Sequence, residues 1–304
     1  MIPDFSKCHC DQPGFCKLYN KIMEEMPPNW QWCQNASSEK RKTHYEQTEK
    51  NRHKTKSIDL KYTLIEPFQY YDSIQPTKKL AICVIPADKK SEDQYQIIKD
   101  NIKNYADKCD ADLVELFGDK NTNWPMANKY RLHNVLTKYE KTLYLDCDVF
   151  IKKDTPDIFK ITPDDQISAF NEMEYFDEPK NKQWIIIQQS MVSSILLNNK
   201  SENKPGEMML NCGVIVIPKT LANYYQQPNE PYPDFWCFDQ HLLSLKLPKN
   251  KVCFLDKKWN LTYTARRSKY GFFNNIDNSY FVHINDSSPD FKVEMLKLLK
   301  YMDG

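Results

Sequence analysis

Residues 129–159 read KYRLHNVLTKYEKTLYLDCDVFIKKDTPDIF. Its middle, TLYLDCDVFI (142–151), is mostly apolar and is broken by Asp146 and Asp148. A short apolar run of this kind predicts a strand buried on both faces. Two carboxylates two residues apart point to the same side of an extended chain. At the carboxyl end of a central α/β strand they would face the crevice where ligands bind. Two adjacent anions repel each other. The usual relief is a hard divalent cation shared with a ligand's phosphates. A bare D-x-D is also a common turn or helix cap after a strand. Here the acids interrupt an apolar strand, and that brings the binding reading level with the plainer one.

On both sides of this stretch, strand and helix patterns alternate. LAICVIPA (80–87) and ADLVELFG (111–118) read as further buried strands. Between them, residues 91–109 form a predicted helix with Ser91 as its cap. Tyr95, Ile98, Ile102 and Tyr105 recur there at helical spacing. A helix is expected at about 126–139. Later strands are expected at 167–170, 213–219, 251–256 and 280–284. Helices are expected at 188–199, 239–247 and 291–302. Strands separated by helices predict an α/β layer fold with a mixed, mainly parallel sheet flanked by helices. Three parts are expected: a Cys-rich segment at 1–60, an aromatic connector at 61–79, and the α/β domain at 80–304.

Composition excludes several classes. The chain has 304 residues and a net charge of +1, so no global field draws it to nucleic acid or membrane. It has only six glycines. No G-x-G-x-x-G, P-loop, G-x-S-x-G or H-E-x-x-H pattern occurs. No run approaches the roughly 18 apolar residues of a membrane span. The start, MIPDFSKCHC, lacks the apolar core of a secretory leader, so a soluble, cytoplasmic protein is expected.

Four of the ten cysteines crowd into the first 33 residues: Cys8, Cys10, Cys16 and Cys33. Four thiols can fill a tetrahedral zinc site, with His9 as an alternative ligand. Their spacing is not that of the common zinc ribbons, and disulfides or unpaired thiols are the competing readings. The other six, Cys83, Cys109, Cys147, Cys212, Cys237 and Cys253, sit in apolar or mixed runs and are expected as reduced core residues. Residues 40–56 carry seven basic and two acidic side chains, a local charge of +5, and predict a solvated helix.

Five stretches in order resemble glycosyltransferase family 8, the family of glycogenin and the bacterial lipopolysaccharide galactosyltransferases. The first is the D-x-D region at 129–159. The others are MLNCGVIVIPK (209–219), FDQHLLSL (238–245), WNLTY (259–263) and YFVHIND (280–286). Together they span about residues 80–290. The resemblance implies a GT-A domain, a Rossmann-like fold, that transfers a sugar from a nucleotide-diphosphate donor. It implies Asp146, Asp148 and His283 as ligands of Mn²⁺ or Mg²⁺. It implies Lys129 as charge support at the donor phosphates, and Ala87 and Asp88 at the nucleotide. It places Asn211, Asp239 and Gln240 around the sugar, near the anomeric carbon.

Each residue also has a plainer reading. His283 can be a satisfied core histidine, Lys129 a solvated helix residue, and Asp239 a helix cap. One departure stands out. The family's late Gly and Lys-Pro-Trp loop is missing from HINDSSPDFK, where Lys292, or Arg266 and Arg267, would have to meet the phosphates. The resemblance further implies a UDP-sugar donor, retention of anomeric configuration, and a glycan, glycolipid or protein acceptor. Two alternatives remain at this point. One is a carbohydrate- or nucleic-acid-binding protein with a degenerate transferase domain. The other is a nucleotidyltransferase, which would normally carry a Gly-rich loop after the first strand.

Overall fold

The computed structural model describes residues 64–65, 67, 72–118, 125–176, 179–198, 200–233, 237–268 and 270–303. All of them lie in the unit Thr63–Gly304. The cluster of Cys8, Cys10, Cys16 and Cys33 and the basic run at 40–56 fall outside the described residues.

In chain order the elements are β1 (Leu64–Ile65), β2 (Leu80–Val84), α1 (Lys89–Lys108) and β3 (Ala111–Glu115). A 3-10 turn, Pro125–Arg131, then leads into α2 (Leu132–Leu136). Next come β4 (Lys141–Leu145), β5 (Val149–Ile151), α3 (Ile158–Ile161), β6 (Ile167–Asn171), α4 (Pro179–Leu196) and β7 (Leu210–Pro218). The rest are β8 (Tyr232–Pro233), α5 (Phe238–Lys246), β9 (Val252–Phe254), β10 (Leu261–Thr262), β11 (Phe281–His283) and α6 (Pro289–Asp303).

The main sheet has six strands in the order β3-β2-β4-β7-β6-β9. β2 runs parallel to β3 and β4, β7 runs against β4 and β6, and β9 runs parallel to β6. So β7 alone is reversed within a sheet that is otherwise parallel. All nine residues of β7 are buried, as expected of a strand covered on both faces. Truncating Ile215 in its centre, fully buried, would cost about 2–5 kcal/mol.

Helix α1 begins two residues before the expected start. Asp88, not Ser91, is its cap: the Asp88 carboxylate accepts from the Ser91 amide at 2.8 Å, and the Ser91 hydroxyl sits at N3. Both residues can cap, and the reciprocal box they form settles which lies outside the helix. The predicted stripe of Tyr95, Ile98, Ile102 and Tyr105 is buried. The expected helix at 126–139 divides into the 3-10 turn and the short α2.

The largest correction concerns the D-x-D strand. It is not one strand over 142–151. β4 ends at Leu145, and β5 belongs to a second sheet of order β10-β11-β5. Asp146, Cys147 and Asp148 form the corner between the two sheets. The Asp146 amide still extends the β4–β7 ladder by donating to the Gly213 carbonyl at 2.8 Å. The Val149 amide then closes a turn onto the Asp146 carbonyl at 3.2 Å. β5 pairs antiparallel with β11, and Val149 lies opposite His283. This register carries a histidine from 135 positions away in sequence to the side of the acids.

Among the described residues no helix is long and apolar enough to cross a membrane. Cys83, Cys109, Cys147, Cys212 and Cys237 are buried free thiols, as the sequence reading expected, whereas Cys253 is only partly buried.

Candidate active site

Asp146, Asp148 and His283 offer ligand atoms that all lie within 4.8 Å of one another. Each carboxylate is held by one oxygen and presents the other. Asp146 Oδ1 meets Lys129 Nζ at 3.0 Å and accepts from the Tyr144 hydroxyl at 2.8 Å. Its Oδ2 lies 3.6 Å from His283 Nε2. Asp148 Oδ2 pairs with Lys292, and its Oδ1 lies 3.2 Å from the same Nε2. Two oxygens and one imidazole nitrogen therefore converge on one point. This set could hold a divalent metal ion.

The packing around the cluster supports that fit. A Cβ built on Gly213 would stand 2.2 Å from His283 Cε1 and 2.7 Å from Asp146 Oδ2. Only glycine lets β7 run this close beneath the acids and the imidazole. One of the chain's few glycines is therefore fixed by the site rather than by a turn.

Electrostatics hold the charges in place. Burial alone would push Asp148 up, but Lys292 and His283 outweigh it and hold the carboxyl well below its usual range. Burial alone would pull Lys129 down, but Asp146 and Asp239 outweigh it, so the ammonium is held above its usual value. Lys292 behaves in the same way: burial opposes its charge, and Asp148 more than restores it.

Lys129 also reaches Asp239 Oδ2, at 3.6 Å. It thus ties the acid corner to the first turn of α5, where Asp239 and Gln240 are both buried. The chain enters α5 through Cys237 in the left-handed region, at φ 59°. A non-glycine residue held there carries strain, a feature that gathers at functional sites. The Gln240 oxygen accepts from the Cys212 amide at 2.9 Å, and the Asn211 oxygen accepts from the Gly213 amide at 3.0 Å. The oxygen ends of both amides are therefore fixed to β7 rather than open to solvent.

Ala87 and Asp88 lie just past β2, beside the corner. Asp88 is among the charges acting on the Cys147 thiol, though one of its carboxylate oxygens is engaged as the α1 cap. Gly118, after β3, would clash through a Cβ with the Ala87 carbonyl at 2.0 Å, so these two loops are locked together. Of the residues weighed for the missing phosphate loop, Lys292 reaches the site. Arg266 pairs with Asp286 at 3.1 Å and stacks on Tyr263 at 4.1 Å. The Arg267 side chain lies outside what is described.

Sequence reasoning missed Glu172 and Asn260. Glu172 follows β6 and is 2% exposed. It accepts from the Asn285 amide at 3.2 Å and also bonds Asn211. Burial raises its carboxyl pKa, against the opposing pull of His283. The signal was visible in part, since an acid stands just past the mostly apolar ISAF, one residue further on than Asp146 stands after LYL. Asn260 is fully buried, 3.1 Å from His283 Nδ1. WNLTY showed its position but not its contacts.

A mixed sheet with acids at the carboxyl end of β4, closed by a late histidine strand, is the GT-A arrangement of glycosyltransferases. The model of glycosyl transferase family 8 matches residues 47–288, and the chain belongs to that family. It is a glycosyltransferase, and membership decides against the nucleotidyltransferase alternative. The fold resembles that of a glycosyltransferase involved in glycosylating the major capsid of PBCV-1. That match is 13% identical and covers 72% of this chain and 98% of the other, with a TM-score of 0.50. The glycosyltransferase GlyE of Streptococcus pneumoniae TIGR4 is 14% identical, with coverage of 73% of this chain and 63% of that one. Its TM-score of 0.41 carries no further argument. No curated protein matches the sequence.

Proposed function

We propose that this glycosyltransferase is metal-dependent and moves a sugar from a nucleoside diphosphate donor, UDP-linked, to an acceptor hydroxyl with retention of configuration. One observation carries this reading: Asp146 Oδ2, Asp148 Oδ1 and His283 Nε2 converge beside a lysine-tethered Asp239. Asp146, Asp148 and His283 would hold Mn²⁺ or Mg²⁺. When bound, such an ion supplies Lewis-acid stabilisation of the charge that grows on the leaving diphosphate.

The chain's own residues do the rest. Lys129 and Lys292, each now paired with a carboxylate, supply positive charge beside the phosphates. Ala87 and Asp88 border the nucleotide. Asp239 and Gln240 hold the sugar's hydroxyls and orient its anomeric carbon, and Asn211 supports them from β7. In the transfer, the bond from anomeric carbon to phosphate oxygen breaks. The acceptor oxygen bonds the same face, and its proton passes to the departing phosphate oxygen. An inverting enzyme would need a carboxylate base on the opposite face. A glycan, glycolipid or protein can supply the hydroxyl.

A panel of nucleotide sugars, with and without Mn²⁺, tests this by thermal shift and donor hydrolysis. A UDP-sugar should stabilise the protein only when the metal is present. If no nucleotide sugar binds with metal, the reading fails. NMR of the product's anomeric signal tests retention separately, and an inverted product would overturn that part alone.

A further inference from the structure

We propose that Asn260 is the positioning residue of His283, and that a single backbone N–H, that of Gly213, fixes which imidazole nitrogen faces the acids. The inference rests on the metal reading above. Its logic starts from a group whose polarity is certain. The Gly213 amide can only donate, and its partner is Asn211 at 3.0 Å, so the Asn211 atom there is the oxygen. The same oxygen meets Asn260 at 2.8 Å, so Asn260 must turn its NH₂ end toward it. The Asn260 oxygen then faces His283 Nδ1 at 3.1 Å. An oxygen there can only accept, so Nδ1 carries the hydrogen.

Metal ligation through an imidazole needs a bare nitrogen, and that nitrogen is now Nε2. It is the one that faces Asp148 Oδ1 at 3.2 Å and Asp146 Oδ2 at 3.6 Å. The far end of the relay is anchored as well. With its oxygen occupied, Asn211 has only its amide hydrogens to offer Glu172. Asn211, Asn260 and His283 are all buried, so water does not compete for these bonds. The relay runs from Glu172 through Asn211 and Asn260 to His283, and each partner leaves the next one choice of orientation. Outer partners of this kind orient metal-ligating histidines and raise their basicity.

Two variants separate positioning from mere support. Asn260→Asp keeps an oxygen for Nδ1–H but loses the donor to Asn211. Asn260→Leu loses both. Both should therefore melt lower than wild type. Mn²⁺ affinity, read by EPR titration of the full chain without donor, should fall about ten- to a hundredfold in Asn260→Leu. In Asn260→Asp it should stay within about threefold of wild type. Equal loss in both variants, or no loss in Asn260→Leu, overturns the inference. Failure of wild type itself to bind Mn²⁺ overturns the metal reading and this inference with it. Should Asn260→Leu not fold, ¹⁵N-histidine NMR of wild type with Mg²⁺ decides. A proton on Nδ1 of His283 supports the relay, and a proton on Nε2 with Nδ1 bare overturns it.

Discussion

Two buried histidines in this chain do opposite work. His241 on α5 is fully buried, and His283 on β11 is 2% exposed. His241 packs edge-on against Trp184, with ring centroids 6.1 Å apart, and its Nε2 meets the Gln188 oxygen at 2.8 Å. Burial drives its pKa down to about 3, so it is a neutral packing residue. His283 has two carboxylates on its Nε2 side and an amide oxygen on the other. Burial is common to both and so cannot mark function. The distinguishing feature is the charge of the neighbours and which nitrogen they leave bare.

The largest break between the two should come from removing a ligand of the His283 cluster. Asp148→Asn keeps the shape and deletes the charge. Metal-dependent transfer should drop by several kcal/mol of transition-state stabilisation, about a thousandfold in rate. His241→Gln should leave the rate within about tenfold. Initial rates with saturating Mn²⁺ check this, and comparable losses in both variants would erase the distinction.

Gly213→Ala comes next. Its methyl group would strike the side chains of His283 and Asp146, which are held by Asn260 and by Lys129 and Tyr144 respectively. We expect a stability loss of about 3 kcal/mol, at the upper end for overpacking, with weakened Mn²⁺ binding. Urea unfolding measures the first and EPR titration the second. A stable variant with normal affinity would mean that the close approach does not constrain the cluster.

The pH dependence of stability sharpens the other side. The folded-state pKa of His241 lies below the unfolded value near 6.5. Below that pH the unfolded chain takes up a proton that the folded chain refuses. Stability is therefore full above about pH 6.5 and falls as pH drops toward 3. His241→Gln removes this linkage. Between pH 7 and 4.5, wild type should lose about 2 kcal/mol more than the variant. Parallel stability curves over that interval would show that His241 is not held neutral.

Part of the acid corner was legible in the sequence, and the limits of that reading have physical causes. LYLDCD announced both a buried strand and its acids, because apolar periodicity and like-charge crowding are local signals. The break at Leu145 was hidden, because VFI is as apolar as LYL and nothing local says that it pairs with a different sheet. His283 was found through its resemblance to a family motif, whereas its register opposite Val149 is a long-range fact. The helix cap was misplaced because Asp88 and Ser91 satisfy the same pattern from opposite ends. Asn260 was invisible as a participant, since its role depends on which end of an amide faces which neighbour.

The smallest effect concerns Lys292, which stands on Asp148 where a dication would act. Its ammonium neutralises the carboxylate while the site is empty of metal, and it opposes a metal's approach by like-charge repulsion. At about 4 Å, even at the dielectric constant of water, the repulsion between a unit charge and a dication is about 2 kcal/mol, or roughly thirtyfold in affinity. Lys292→Met should therefore bind free Mn²⁺ up to about thirtyfold more tightly. With a nucleoside diphosphate present the sign should reverse, because the lysine then gains phosphate oxygens that methionine cannot serve. Calorimetric titrations with Mn²⁺ alone, and with UDP at saturating Mn²⁺, would show the two affinities moving in opposite directions. If both fall together, Lys292 is a structural partner of Asp148 and not a phosphate-facing cation. The chain would then need some other group to replace the family's missing loop. His241 has no counterpart to this exchange, since a residue held neutral by burial offers an incoming ion no charge to displace.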